Sequence, residues 1–177
     1  MAFDAFYLSC VLKEIQALPE PRIEKIHQPA RDTVILHLKH RDGRAKLLFA
    51  ANPAAPRLHL TSASPENPAE PPMFCMLLRK HLSGGRLVKA EQLPMERCAM
   101  FTFSCIDEMG DQVEKKLVAE LMGRTCNLYL LSPRGASSIA CAASVWMNRQ
   151  NGPPCRGLCI SILRRSPNRI HFLLRIM

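Results

Sequence analysis

The sequence predicts an α+β domain over residues 1–133, a mostly antiparallel sheet with two main helices. Two segments carry apolar residues at helical spacing. Most of the others alternate apolar and polar residues, as half-buried strands do. Clusters rich in glycine, proline, serine or aspartate separate these segments. A basic tail over residues 134–177 lacks both patterns.

The first helix is predicted over residues 4–18, with Asp4 as its N-cap and Pro19 ending it. The second is predicted over residues 73–82, between Pro71-Pro72 and Gly84-Gly85. The expected apolar stripe of the first helix consists of Tyr7, Val11, Ile15 and Leu18. That of the second consists of Met73, Met76, Leu77 and His81.

Strands are predicted in the segments between and after the helices. Pro29 is expected to close the first strand, and Arg41-Asp42-Gly43 is a hairpin turn signal. The predicted strands are residues 22–27, 33–39, 45–50, 57–61, 86–92, 97–105, 113–122 and 127–131.

Composition restricts the class of protein. No apolar run is long enough to cross a membrane, and the N-terminus lacks the basic flank of a secretory signal. We therefore expect a cytoplasmic protein without a membrane partner. The eight cysteines are scattered and are expected to be buried thiols, and no spacing predicts a metal site or a cofactor.

Four segments together resemble one protein family. They are Arg22-Ile23-Glu24-Lys25-Ile26-His27-Gln28-Pro29; Asn52-Pro53 with Pro56-Arg57-Leu58-His59-Leu60-Thr61; Glu66-Asn67-Pro68 with the run from Pro71-Pro72 to Gly84-Gly85; and Glu120-Leu121-Met122-Gly123-Arg124. In this order and spacing they are similar to the N-terminal domain of the NFACT family, the group of RqcH-like, NEMF-like and fibronectin-binding-protein-A-like proteins. The resemblance covers about residues 1–133.

The resemblance implies a fold similar to the N-terminal domain of formamidopyrimidine-DNA glycosylase. It also implies a ribosome-associated quality-control factor that binds tRNA and the obstructed large ribosomal subunit, in full-length relatives directing alanine tailing of stalled peptides. A fibronectin-binding surface adhesin is the alternative. Glycosylase activity is not expected, because those enzymes begin with proline and glutamate whereas this chain begins Met1-Ala2-Phe3-Asp4. We expect no enzymatic activity.

Arg97 is the main candidate for nucleic-acid binding. The family has an Asp-Arg pair implicated in tRNA handling, and Glu96-Arg97 stands at the matching position. A guanidinium binds phosphate through two parallel hydrogen bonds, and Glu96 is positioned in sequence to orient it. The alternative is an ion pair at a strand end, facing water.

The other candidate contacts to nucleic acid are Arg79, Lys80, Arg57, His59 and Arg124. Arg79 and Lys80 lie on the second helix and point in different directions; an interior partner for Arg79 and a solvated face for Lys80 are the alternatives. Arg57 and His59 share one face of a strand, which is either a binding face or an ordinary half-exposed one. Arg124 binds either RNA or a turn carbonyl.

The tail differs from the rest of the chain in charge. Residues 1–133 hold 17 Lys and Arg against 15 Asp and Glu, whereas residues 134–177 hold seven Arg and no acid. One interpretation is a solvated basic arm that binds RNA nonspecifically. The other is translation from a shifted reading frame, since a re-reading one base out of phase forces Asp-Glu at Trp146-Met147-Asn148. In that case we expect an incomplete, poorly soluble domain without alanine-tailing activity, and the coding DNA decides the question.

Overall fold

The computed structural model describes residues 3–122 and 126–131. It contains two helices and an eight-stranded antiparallel sheet, so the predicted α+β class is confirmed. The helices are α1 (Ala5–Gln16) and α2 (Met73–Leu82). The strands are β1 (Arg22–Ala30), β2 (Thr33–His40), β3 (Gly43–Ala50), β4 (Arg57–Leu60), β5 (Arg86–Gln92), β6 (Cys98–Ile106), β7 (Gln112–Glu120) and β8 (Asn127–Leu131).

The strand order is β4-β3-β2-β1-β5-β6-β7-β8. The two halves of this sheet meet weakly, since β1 and β5 pair only at Arg22 and Arg86. The halves also fold towards each other, because Phe49 of β3 contacts Phe101 of β6 edge to face, with ring centroids 5.2 Å apart. Both rings are almost fully buried, so one core joins the inner faces of both halves.

Helix α2 lies along the edge of β1 that β5 leaves free. The Arg79 Nε and the Cys75 thiol both donate to the carbonyl of Ile26, at 2.9 and 3.6 Å. The helix ends at Leu82, and Gly84, just beyond its C-cap Ser83, has a φ of +73°, a left-handed conformation that glycine adopts without strain. Gly85 follows because a Cβ there would lie 2.7 Å from the Cys105 sulfur. The paired glycines therefore let α2 turn directly into β5.

Two local predictions are wrong. The predicted stripe of α2 is largely exposed, with Met73 at 70% and Met76 at 51%. The face that packs into the core instead consists of Phe74, Cys75, Leu78 and Leu82. Both faces of α2 carry apolar residues. When α2 packs against β1, the face that contains Phe74 is the one that is buried. Strand β1 also continues through Pro29 to Ala30, because the β1–β2 pairing is irregular there and tolerates a residue without an N–H.

The first helix agrees more closely with its prediction. The Asp4 carboxylate accepts a hydrogen bond from the Tyr7 backbone N–H at 2.7 Å, as an N-cap does. Leu8, Val11, Leu12 and Ile15 are buried, whereas Tyr7 is 41% exposed. The helix packs against β5 and β4, and so closes one end of the core. The likeness to the glycosylase domain remains a prediction.

Candidate nucleic-acid interface

Arg97 immediately precedes β6, in the turn that joins it to β5. Its Nη1 donates a hydrogen bond to the backbone carbonyl of Phe3, at 3.0 Å. The side chain is half-buried, and a guanidinium carries five N–H donors in a fixed plane. The contact with Phe3 engages one of these donors and restricts the plane of the guanidinium, and bidentate phosphate binding requires such a fixed plane.

The observed partner of the Arg97 guanidinium is the Phe3 carbonyl, at the start of the chain. An orienting role for the Glu96 side chain remains a prediction. The Glu96 backbone accepts a hydrogen bond from the Gln92 amide at 2.8 Å. The same amide donates to the carbonyl of Ala5 at 2.7 Å. Gln92 therefore ties the start of α1 to the β5–β6 turn, and this fixes the position of Arg97.

Large apolar side chains are exposed on the same two elements. Met95 lies in the β5–β6 turn with a φ of +59° and is 92% exposed. Phe6, in the first turn of α1, is 79% exposed. Arg97 also acts on Cys126, just before β8. Burial raises the pKa of the Cys126 thiol, and the positive charge of Arg97 partly offsets that rise. Arg97 and these exposed apolar side chains thus lie on the β5–β6 turn and the first turn of α1, which Gln92 joins.

The three consecutive polar residues of α2 have three separate partners. Arg79 binds the β1 edge through Ile26, so its interior partner is an observed contact. Lys80 forms an exposed ion pair with Glu108 at 2.8 Å. The His81 ring contacts the Lys115 ammonium on β7, with Nδ1 and Nζ 3.3 Å apart. These side chains do not converge on one ligand.

Arg57 and His59 do share a face of β4, opposite the fully buried Leu58. Arg57 is exposed and His59 is half-buried. The pKa of His59 is lowered, first by burial and then by the positive charge of Arg57. Arg124 lies outside the described residues. In the described part of the chain, therefore, the predicted contacts occupy three places: the β5–β6 turn, helix α2 and the outer face of β4.

Two features of the structure were not predicted from the sequence: the burial of Lys115 and the rows of cations on one face of the sheet. Lys115 was placed on a strand, but only the pairing of β7 with β6 reveals that the residue is 6% exposed and lies beside His81. The outer face of β1, β2 and β3 carries rows of cations that require the strand register to recognise. Alternation along β2, with His37 and Lys39 between buried leucines, was the available signal.

Within residues 3–122 and 126–131, no three His, Cys, Asp or Glu side chains are grouped to hold a metal ion. The five cysteines in this part are free thiols, and all but Cys10 are buried. Cys141, Cys155 and Cys159 lie outside it. Neither helix of the described part is long and apolar enough to span a membrane.

The sequence profile of the NFACT N-terminal and middle domains matches residues 4–151. The Rqc2 homolog RqcH of Bacillus subtilis is 42% identical over 131 residues, which cover 73% of this chain and 23% of that protein. Human ribosome quality control complex subunit NEMF is 31% identical over 123 residues, or 69% of this chain and 11% of NEMF. The chain thus spans a quarter or less of the length of these relatives.

The fold also matches solved structures. The N-terminal domain of the fibronectin-binding protein PavA from Streptococcus pneumoniae superposes with a TM-score of 0.72 and 27% identity, covering 93% of this chain and 70% of that domain. The N-terminal part of the fibronectin/fibrinogen-binding protein from Streptococcus suis gives the same TM-score with 26% identity and the same coverage.

Proposed function

Since this chain belongs to the NFACT family, we propose that it acts in ribosome-associated quality control by binding tRNA and the obstructed large ribosomal subunit. The role is one of binding, without catalysis by this chain, and it is exercised in the cytoplasm. Alanine tailing of stalled peptides is the activity that such binding would serve in longer relatives.

The observation that carries the proposal is the mounting of Arg97. Its hydrogen bond to the Phe3 carbonyl restricts the guanidinium before any ligand arrives. Fixing a side chain in advance reduces the entropy lost on binding. A lysine at this position would keep the charge but lose the planar pair of donors. The proposal therefore predicts that Arg97→Lys weakens binding although net charge is unchanged.

Co-sedimentation tests the proposal. The chain is mixed with large subunits that retain peptidyl-tRNA and, in parallel, with empty large subunits, at moderate salt. We expect pelleting with the obstructed subunits, and a several-fold loss of pelleting for Arg97→Met. Lys13→Met, on the exposed side of α1, is the matched control for charge. Equal pelleting with both kinds of subunit, or equal pelleting of Arg97→Met and the control, contradicts the proposal.

Fibronectin binding is the second candidate. The observation in its favour is the similarity to two solved domains whose proteins are named as fibronectin binders. Binding of the chain to immobilised fibronectin, without pelleting on obstructed subunits, would favour this alternative. Pelleting without fibronectin binding would favour the first.

A further inference from the structure

We propose that the outer face of β1, β2 and β3 forms a second surface for an RNA phosphate backbone, separate from Arg97. The inference rests on the proposed function, because it adds a second contact between this domain and RNA. Its principal contacts are Arg22, Lys25 and Lys39, with Arg44 at the margin. Phosphate contacts of this kind position a protein on RNA without reading its sequence.

The strand register places the cations in two parallel rows. Arg22 pairs with Lys39, and Lys39 pairs with Arg44, which makes one row across three strands. Lys25 pairs with His37, and His37 pairs with Lys46, which makes the next. Side chains two residues apart on a strand share a face, so the rows are separated by roughly 6.6 Å, with about 4.8 Å between neighbouring strands.

A bulge in β1 creates the second row. Simple alternation would put Lys25 on the same face as the buried Ile23. The pairing instead slips between Ile23 and Lys25, so that Lys25 stands opposite His37 on the outer face. Lys25 is exposed there, as are Arg22 and Lys39 in the adjoining row.

The charges on this face are strongly unbalanced. Its one carboxylate in the described strands β1–β3, that of Glu24 at the bulge, is paired with Arg44 at 3.1 Å. The Lys46 ammonium donates to the carbonyls of Ser62 and Ala63, at 3.2 and 3.3 Å, so it adds to the field without being aimed at a ligand. A cleft of about 440 Å³ opens beside the rows, lined in part by His37 and Arg44.

Two histidines lie among these cations. His27 and His37 contact each other edge to face, with ring centroids 4.6 Å apart. The pKa of each ring is lowered, first by burial. The charge of Arg79 on α2 contributes next for His27, and smaller contributions from Lys25 and Lys46 are common to both rings. Clustered cations without matching acids are the electrostatic pattern of a surface that attracts polyanions. The patch ends at the next row, where Ile35 and Leu48 are buried.

Salt-dependent binding of tRNA by the full chain tests this surface. Fluorescein-labelled tRNA is titrated with wild-type chain and with the Lys25→Gln/Lys39→Gln double variant, between 50 and 200 mM KCl. Each lost phosphate contact lowers the slope of log affinity against log salt by about 0.7–0.9. We expect the slope to fall by roughly 1.5 and the affinity near 100 mM KCl to fall tenfold or more.

The control is Lys13→Gln/Lys89→Gln, which removes the same charge from α1 and from the other half of the sheet. Both double variants retain the tail with its seven arginines, so its contribution to the slope is constant. An unchanged slope in the Lys25/Lys39 variant, or an equal change in the control, overturns the inference. Arg97→Met in the same titration separates the two proposals. If it alone weakens binding, the second surface fails and the proposed function stands; if neither variant weakens binding, both fail.

Discussion

The hydrogen bond from Arg79 to β1 makes a prediction about stability rather than about RNA. Arg79→Met keeps most of the side-chain length but removes the Nε that donates to the Ile26 carbonyl at 2.9 Å. A hydrogen bond from a charged donor contributes about 1.5–3 kcal/mol. The residue is only half-buried, so water can partly replace the lost donor, and the lower end of that range applies. We expect the free energy of unfolding to fall by about 1.5–2 kcal/mol.

The neighbouring residue provides a matched control. Lys80→Met also removes a positive charge from α2, but the Lys80–Glu108 pair is exposed on both sides, at 62% and 74%. Exposed pairs contribute little, typically below about 1 kcal/mol. Urea unfolding followed by circular dichroism measures both variants. Arg79→Lys should lie between Arg79→Met and wild type, because its ammonium cannot occupy the position of Nε. Equal losses for Arg79→Met and Lys80→Met, or no loss for Arg79→Met, would refute the assignment of Arg79 as an anchor of α2.

Three further predictions follow from buried groups. Gly85→Ala should lower the free energy of unfolding by about 2 kcal/mol. The new Cβ would lie 2.9 Å from the backbone carbonyl oxygen of Leu82 and would also press against the Cys105 sulfur. An unaltered urea midpoint would contradict this. Lys115→Met should raise the free energy of unfolding by about 1 kcal/mol, because it removes a charge from a residue that is 6% exposed and whose ammonium contacts a histidine. Lys115→Ala should lower the free energy of unfolding by leaving a cavity, and a loss in both variants would contradict this reasoning. Stability should be nearly constant between about pH 7 and pH 8 and fall as the pH drops through 6.5. The pKa values of His27, His37 and His59 are lowered, first by burial, so the unfolded chain binds more protons than the folded chain in that range. A urea midpoint that rises on acidification would show the wrong sign.

Local sequence patterns predicted much of the fold. The bounds of α2, β5 and β8 coincide with the predicted segments, because Pro71-Pro72, Gly84-Gly85 and the Asn127 boundary are strong local signals. The face that α2 buries was not predictable in the same way. Both of its sides are apolar, and only the free edge of β1 determines which one packs inward.

In the candidate interface too, local patterns predicted some features, whereas features that depend on distant contacts or on a bulge were not predicted. Arg97 was predicted from its position in a motif, but its observed contact lies 94 residues away in sequence, at Phe3. No local pattern indicates such a contact. The row containing Lys25 was hidden by a bulge, since a slip of one residue moves a side chain to the other face of the sheet. Arg57 and His59, on a regular strand, were placed on their shared face correctly.

The domain boundary near residue 133 and the reading-frame hypothesis remain predictions, since residues 132–177 lie outside the described part. The profile match extends to residue 151. Sequencing the gene beyond codon 133 distinguishes a native segment from a shifted frame. An in-frame match to the family through residue 177 would rule out the shift.

The most direct measurement is the dissociation constant of labelled tRNA for wild type, Arg97→Lys and Arg97→Met at a single salt concentration, corrected for the folded fraction of each variant. We propose that the Phe3 carbonyl orients the Arg97 guanidinium and that further N–H groups of Arg97 bind phosphate. Wild type should then bind most tightly, Arg97→Lys more weakly and Arg97→Met most weakly. The step from wild type to methionine should be tenfold or more, in line with about 1.5–3 kcal/mol for hydrogen bonds to a charged group. Three equal dissociation constants would mean that Arg97 only fastens the N-terminus to the sheet, and RNA recognition would have to be sought elsewhere.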